Sequence, residues 1–476
     1  MSAQRYVMKF GGTSVGSPEA IRRTASILKR WHQEGHEVVG VVSAMRGVTD
    51  QLIQAATSAA QGDAQAPTRL REAIWERHVS AIRELLGADG QPVLDFIAQE
   101  LESFSNLCAA IAVLGEVTPR AMDLISSLGE RFSAHMVAAV LRADGVSSAA
   151  VMADEVVITD DTFGAANPLL DVTTRRVQEK IVPLLRKRIL PVVTGFLGAT
   201  PEGYVTTLGR GGSDYTAAIL GYALDADEVW IWTDVDGVLT ADPRIVPDAR
   251  TLPRISYTEA AEMAYFGARV LHPKTVQPAV MKGIPLRIVN TFNPDAPGTL
   301  IVEEPVVEDH TVKAVTMIPR VALVTVEGRG MLGVPGVAAR VFETVAREGV
   351  SVLMISQSSS EQSICFLVEE AAGDRVVRAL EQTFERELAQ QHIDRIWAEK
   401  DVVIIAAVGA GMRHTPGVAA RLFGALGERR INVLSIAQGG SEYNLSLVVA
   451  EQDAHEAVRA IHAAFELGRR PQEQRE

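Results

Sequence analysis

A chain of 476 residues, 47% of them hydrophobic, has material for two or three domain cores. Its formal net charge of −13, with no run of basic residues, excludes a nucleic-acid surface and confines phosphate binding to a local site. Two distant cysteines, Cys108 and Cys365, exclude a disulfide framework or a zinc site, and no apolar stretch reaches the roughly 18 to 20 residues of a membrane span, so a soluble cytoplasmic protein is expected.

The first predicted element is an alternating strand, Arg5 to Phe10, which runs into Gly11-Gly12-Thr13-Ser14 and a helix that Pro18 opens. A lysine at the strand end, Lys9, followed by two glycines with free backbone N–H groups suits the phosphates of a nucleotide. It is not a Walker A loop, because the lysine precedes the glycines. A second strand covers Val38 to Val42 and ends at Ser43, and from Thr49 to Leu141 the pattern is helical, with Pro92 and Pro119 as helix starts.

Further strands follow at Pro191 to Thr194, Glu228 to Trp232 and Leu286 to Val289. Alternation of such strands with helices predicts a three-layer α/β domain with a mainly parallel sheet, whose ligands sit beyond the carboxyl ends of the strands. Lys9 to Gly12, Ser43 and Thr233-Asp234 all follow strand ends. Between two of these strands, Leu208 to Ala218 places Arg210, Gly211, Gly212, Ser213 and Asp214 before an apolar helical run. Arg210 offers a fork for a carboxylate or phosphate, the glycines permit close backbone approach, and Ser213 or Asp214 is positioned to cap the helix. Trp230 and Trp232 read as structural by strand alternation, and His272, with no ligand cluster around it, as structural too.

A boundary falls near residues 293 to 312, and an internal repeat follows. Gly330-Met331 recurs as Gly411-Met412, Pro335 to Arg340 as Pro416 to Arg421 and Gln357 as Gln438, each 81 residues later (411 − 330, 416 − 335, 438 − 357). A constant offset indicates duplication. Each copy reads strand, helix, strand, strand, helix. The first has further strand-like sequence at Ile393 to Ala398, whereas the second lacks a final strand, and Val312 to Ile318, ahead of the first copy, is predicted to complete the second sheet.

KFGGTS at Lys9 to Ser14, VVSAMRGVTD at Val41 to Asp50, SLGE at Ser127 to Glu130, GRGGSD at Gly209 to Asp214, TDVDGV at Thr233 to Val238, DPR at Asp242 to Arg244 and FGARVLHP at Phe266 to Pro273 stand in the order found in aspartate kinases. The chain resembles that family over essentially its whole length. The resemblance implies an amino-acid-kinase catalytic domain over 1–300, a linker with the completing strand over 301–318, and two ferredoxin-like (βαββαβ) ACT domains over 319–400 and 401–476. It implies transfer of a phosphoryl group from ATP, with Mg²⁺, to the β-carboxylate of L-aspartate. The product is 4-phospho-L-aspartate, the first step toward lysine, threonine and methionine.

By the same resemblance Lys9 and Asp214 are catalytic, and Ser43, Thr49, Glu130, Arg210 and Ser213 bind aspartate. Lys9, Gly11, Gly12, Thr233, Asp234, Arg244 and Arg269 meet ATP, and no protein metal set is implied. Relatives often carry lysine where Arg269 stands and tyrosine where Leu239 stands, so nucleotide contacts depart from the common pattern there. The loops ISQSSSE at Ile355 to Glu361 and IAQGGSE at Ile436 to Glu442 resemble the effector loops of threonine-sensitive aspartokinase/homoserine dehydrogenase proteins, with Gln357 and Gln438 facing a threonine and/or lysine effector. With no room for a dehydrogenase domain, the chain is expected to be monofunctional, and a homodimer or larger homo-oligomer joined through the ACT domains is expected. Two other readings stay open: another amino-acid or carbamate kinase of the same fold, and a catalytically silent amino-acid sensor.

Overall fold

Runs such as Val38 to Val42 are apolar at nearly every position because strands of a mainly parallel sheet are covered on both faces. The protein is described by a computed structural model covering residues 4–63, 65–268, 271, 273–304, 311–357, 362–439 and 443–469. The chain divides into two compact units. The first holds Met1–Val238, Pro253–Tyr257 and Val270–Glu304, and the second Leu239–Leu252, Thr258–Arg269 and Pro305–Glu476. No helix among the described residues is long and apolar enough to cross a membrane.

The strands of the first unit are β1 (Arg5–Phe10), β2 (Glu37–Val42), β3 (Ser148–Val151), β4 (Leu190–Thr194), β5 (Leu197–Ala199), β6 (Val205–Thr207), β7 (Glu228–Thr233), β8 (Arg254–Ser256), β9 (Leu286–Asn290) and β10 (Thr299–Val302). Eight form one sheet in the order β3-β4-β2-β1-β7-β9-β10-β8, parallel throughout except between β9 and β10. The short strands β5 and β6 pair with each other. Helices α1 (Pro18–Gln33), α2 (Val48–Ala60), α3 (Ala66–Leu86), α4 (Gln91–Leu114), α5 (Pro119–Ser126), α6 (Leu128–Ala143), α7 (Leu170–Lys180), α8 (Val182–Arg186), α9 (Gly212–Leu224), α10 (Tyr257–Tyr265) and α11 (Pro273–Met281) follow in chain order, α10 lying mostly in the second unit. Ser17 accepts a hydrogen bond from the Ala20 amide ahead of Pro18, and Pro92 and Pro119 stand in the first turns of α4 and α5.

Register, more than strand content, builds the site. Phe10 at the end of β1 lies level with Val42 of β2 and Trp232 of β7, and Val42 lies level with Thr194 of β4. Four chain segments therefore leave the sheet at one edge: Gly11 onward, Ser43 onward, Thr233 onward and Gly195 onward. Phe10 stacks on Trp232 with ring centroids 5.7 Å apart beneath that edge, and both are fully buried. Backbone bonds then knit the edge, with the Ser43 amide donating to Phe10 O at 3.0 Å and the Gly11 amide to Trp232 O at 3.3 Å.

In the second unit, β11 (Ala314–Glu327), β12 (Met354–Gln357), β13 (Ser363–Glu369), β14 (Arg395–Val408), β15 (Ser435–Ala437) and β16 (Asn444–Ala450) form an antiparallel sheet in the order β12-β13-β11-β14-β16-β15. Helices α12 (Val337–Arg347), α13 (Glu370–Thr383), α14 (Glu385–Ala389), α15 (Val418–Glu428) and α16 (Glu451–Ala464) accompany it. The two long strands serve both repeats. Leu323–Glu327 of β11 pairs with Arg395–Glu399 at the end of the first copy, whereas Ala314–Ile318 pairs with Ile404–Val408 in the second. The register shifts between these halves, where Arg320 and Asp401 both take left-handed φ angles near +57°. Each copy keeps its own core: Val324, Val341, Phe366, Val376 and Phe384 in the first, Ile405, Leu422, Leu447, Val458 and Ile461 in the second.

Segments from the middle of the chain complete the second copy. Ala241, Ile245 and Val246 sit in its core, and Thr240 O accepts from the Val315 amide at 2.8 Å. Glu259 of α10 is fully buried, 3.1 Å from the nearly fully buried Lys313 ammonium, and accepts a second bond from the Ala410 amide. Removing one member of such a pair strands a charge in the interior, so the contact fixes where α10 lies on this unit.

Candidate active site

The end of β1, the segments that follow β2 and β4, the first turns of α2 and α6, and Gly209 to Asp214 at the start of α9 line a cleft of about 430 Å³. Lys9, Ser43, Thr49, Glu130, Arg210, Ser213 and Asp214 all line it. They come from positions 9 to 214 of the chain and meet only because the strand ends are level.

The loop Gly209 to Gly212 differs locally from the sequence expectation. Helix α9 starts from Gly211 at φ +73°, a left-handed conformation that a side chain disfavours, and no side chain caps it. Ser213 and Asp214 thus fall inside the first turn instead of before it, so neither caps the helix, and both turn toward the cleft. The Ser43 hydroxyl donates to Ser213 Oγ at 2.9 Å. Lys9 Nζ stands 2.6 Å from Asp214 Oδ1, each side chain less than one-fifth exposed. The pairing holds the lysine at the end of β1 against a neutralising carboxylate. Arg210 is exposed at the mouth of the cleft.

Glu130 sits in the first turn of α6, 4% exposed. Its Oε1 accepts from the Ala44 amide at 3.1 Å, while Oε2 is buried with no partner. Burial pushes its carboxyl up to about 8 against the pull of the Ala44 and Glu130 amides. A buried carboxyl with one unfilled oxygen on a cleft wall is a receptor for a cation or a donor.

The remaining candidates are placed as follows. Gly11 packs near the Lys9 ammonium, a β-carbon there lying 3.5 Å from Nζ, and its amide bonds the strand that ends in Thr233-Asp234. Gly12 accepts from the Arg46 amide at 3.2 Å, tying the loops after β1 and β2. Thr233 and Asp234 adjoin each other at the end of β7, with 3.3 Å between Thr233 Oγ1 and Asp234 Oδ1. Arg244 and Leu239 belong to the second unit, where Arg244 forks onto Asp242 with Nε–oxygen distances of 3.0 and 3.1 Å. Arg269 and His272 lie outside the described residues. Trp230 and Trp232 are buried in the sheet.

Gln438 lines a separate cavity of about 400 Å³ in the second copy with Met412, His414, Thr415 and Leu445. Gln357 is exposed at the end of β12, and Ser356 beside it donates to Ile436 O of β15 at 3.3 Å, so β12 touches the strand that Gln438 follows.

Sequence reasoning missed Phe196, which lines the cleft one residue past Gly195. The strand-end rule that selected Ser43 would have found it. It also missed Asp123, buried at 2% exposure in α5, for which no motif gave a signal.

The amino acid kinase family model matches residues 4–290, and the ACT domain model matches twice, at 324–384 and 405–465. The two ACT matches are 81 residues apart (405 − 324), the offset of the repeat. Bifunctional aspartokinase/homoserine dehydrogenase 2, chloroplastic, of Arabidopsis thaliana is 40% identical over 97% of this chain and 51% of its own length. The chain spans about half the length of such bifunctional relatives. Aspartokinase 1, chloroplastic, of the same plant is 34% identical over 96% of this chain and 80% of its own. Among solved structures, E. coli aspartokinase III in complex with aspartate and ADP (R-state) superposes with a TM-score of 0.79 at 32% identity over 97% of this chain and 99% of that one, and its lysine and aspartate complex (T-state) gives the same values. With the family model matched over 287 of the 476 residues (4–290) and an aspartokinase 34% identical over 96% of it, the chain belongs to the amino acid kinase family, among the aspartokinases.

Proposed function

We propose that this protein transfers the γ-phosphoryl group of ATP to the β-carboxylate of L-aspartate, giving 4-phospho-L-aspartate, under feedback from threonine and/or lysine. The observation that carries the reading is the convergence of Lys9, Ser43, Thr49, Glu130, Arg210, Ser213 and Asp214 on one cleft. Glu130 receives the α-ammonium with its empty Oε2, Arg210 forks onto the α-carboxylate, and the serines and Thr49 supply hydrogen bonds.

The chemistry needs no base, because a β-carboxylate is ionised at neutral pH. Its oxygen forms a bond to the γ-phosphorus as the bond to the bridging oxygen of the departing ADP breaks, and no proton moves. The obstacle is repulsion between anions, which positive charge and backbone N–H groups relieve. Lys9 leaves Asp214 to meet the transferring group, with the Gly11 and Gly12 amides beside it. Thr233 and Asp234 adjoin the nucleotide, and Arg244 and Arg269 are assigned to its phosphates. Magnesium, a hard cation usually held by one or two carboxylates plus substrate phosphates, enters with ATP and supplies charge neutralisation.

Residues 1–300 form the catalytic part in this reading and 319–476 the two ACT modules, which join a homodimer or larger homo-oligomer in the cytoplasm. Coupled measurement of ADP formation tests the reading: turnover with ATP should require aspartate, and absence of aspartate-dependent ADP would refute it. Arg210→Lys should raise KM for aspartate about tenfold while KM for ATP changes less than about twofold, since a point charge replaces a fork. Equal changes would move Arg210 to the nucleotide side.

Feedback is assigned to Gln357 and Gln438. That Gln438 lines a cavity and that β12, which ends at Gln357, touches β15 just before Gln438 supports a common effector region. Threonine, alone or with lysine, should inhibit at millimolar concentration, and Gln357→Ala with Gln438→Ala should relieve inhibition at unchanged uninhibited kcat. Inhibition that survives in the double variant would remove the effector assignment and leave the kinase assignment standing.

A further inference from the structure

We infer that Asp123 is a positioning residue that sets the spacing between the two ends of the aspartate site, and so helps select aspartate over longer or shorter amino acids. The inference rests on the aspartate-kinase reading above.

Asp123 lies in α5, seven residues before Glu130, and is 2% exposed. Its Oδ2 accepts from the Gly164 amide at 2.8 Å and the Thr207 amide at 2.9 Å, and Oδ1 accepts from the Thr207 hydroxyl at 2.7 Å. Burial raises its pKa against these three donors. One side chain therefore fastens two distant segments to the helix that leads into Glu130.

Both segments flank Arg210. Thr207 ends β6, three residues ahead of the arginine, and its carbonyl accepts from the Ala166 amide at 2.9 Å, so every polar group of Thr207 is engaged. The intervening Gly209 is held at φ +76°, where a β-carbon would lie 3.1 Å from Gly164 O. The loop that Asp123 holds thus presses on the residue from which Arg210 departs. Leu208 is pinned by the Phe196 carbonyl at 2.8 Å and the Gly212 amide closes back on Gly209 O at 3.0 Å. Arg210 has little backbone freedom left, and its distance to Glu130 is inherited from the Asp123 clamp. Positioning groups of this kind act through the geometry of the residues that touch substrate.

The test compares Asp123→Ala, Asp123→Asn and Thr207→Val in the full chain. An asparagine can repeat the clamp, its Oδ1 taking the two amides and its Nδ2 donating to the Thr207 hydroxyl. Asp123→Ala should raise KM for aspartate about tenfold or more, hold KM for ATP within about twofold and shift relative kcat/KM toward glutamate and asparagine. Asp123→Asn should stay within about threefold of wild type, and Thr207→Val should raise KM for aspartate about threefold. Equal rises in both KM values, an unchanged aspartate preference, or an asparagine variant as impaired as the alanine one overturns the inference. If Asp123→Ala does not fold, Thr207→Val decides: an unchanged KM for aspartate overturns the inference. Wild-type enzyme without aspartate-dependent turnover would instead defeat the underlying kinase reading.

Discussion

Replacing Lys9 with alanine is expected to lower kcat by about 10²- to 10³-fold, the loss typical of one preorganised donor at a site of developing charge. The ammonium lies at the end of a central strand, next to the Gly11 backbone and bridged to Asp214 at 2.6 Å. In the ligand-free protein the pair is locally neutral, and phosphate charge competes for the lysine only when nucleotide binds. In the proposed reaction this interaction is strongest with the transferring phosphoryl group, so its loss should appear in kcat more than in KM. The strand itself is held by Val7, Met8 and Phe10, all fully buried, so the variant should fold. Steady-state kinetics beside thermal unfolding check both parts. A folded variant that keeps more than about a tenth of wild-type kcat, a deficit under about 1.4 kcal/mol, refutes the role.

A second large effect is expected at Glu130, with a pH signature. Without ligand its carboxyl is raised by burial to about 8, well above its ordinary 4.5, so it is mostly protonated at pH 7. An ammonium seated at the unpartnered Oε2 favours the carboxylate and returns the pKa downward, so aspartate binding near pH 7 should release close to one proton. Affinity for aspartate should therefore weaken as pH falls below about 8, by up to about tenfold per pH unit. The stability linkage has a definite sign. A group whose folded pKa is raised contributes stability that is full below the unfolded value and is lost as pH rises through the folded one. The protein should therefore lose stability from this group as pH rises between about 4.5 and 8. Glu130→Gln should raise KM for aspartate about a hundredfold and abolish both the proton release and this pH dependence. Calorimetry in two buffers of different ionisation enthalpy measures the proton directly. Release that is unchanged in Glu130→Gln would place the titrating group elsewhere.

Much of this site was written in short local signals. Lys9 with Gly11-Gly12, Ser43 after β2 and the stretch Arg210 to Asp214 were selected because strand ends and glycine loops carry their own chemistry in adjacent residues. The structure departs from the capping expectation for Ser213 and Asp214 for a local reason too: Gly211 takes a left-handed φ, which starts α9 early and frees both side chains to face Ser43 and Lys9.

By itself the sequence determined five strands of the α/β sheet (β1, β2, β4, β7 and β9), the helical block and the 81-residue repeat, because periodicity and duplication are recorded one residue after another. Only the tertiary structure decided what happens at long range. Level register at Phe10, Val42, Trp232 and Thr194 gathers the cleft, and burial turns Glu130 from a first-turn charge into a proton-binding receptor. The same holds for the Asp123 clamp, for β11 and β14 running through both repeats, and for 239–252 and 258–268 packing with the second unit. Each depends on which surfaces are excluded from water together, a property of the folded chain that no local pattern encodes.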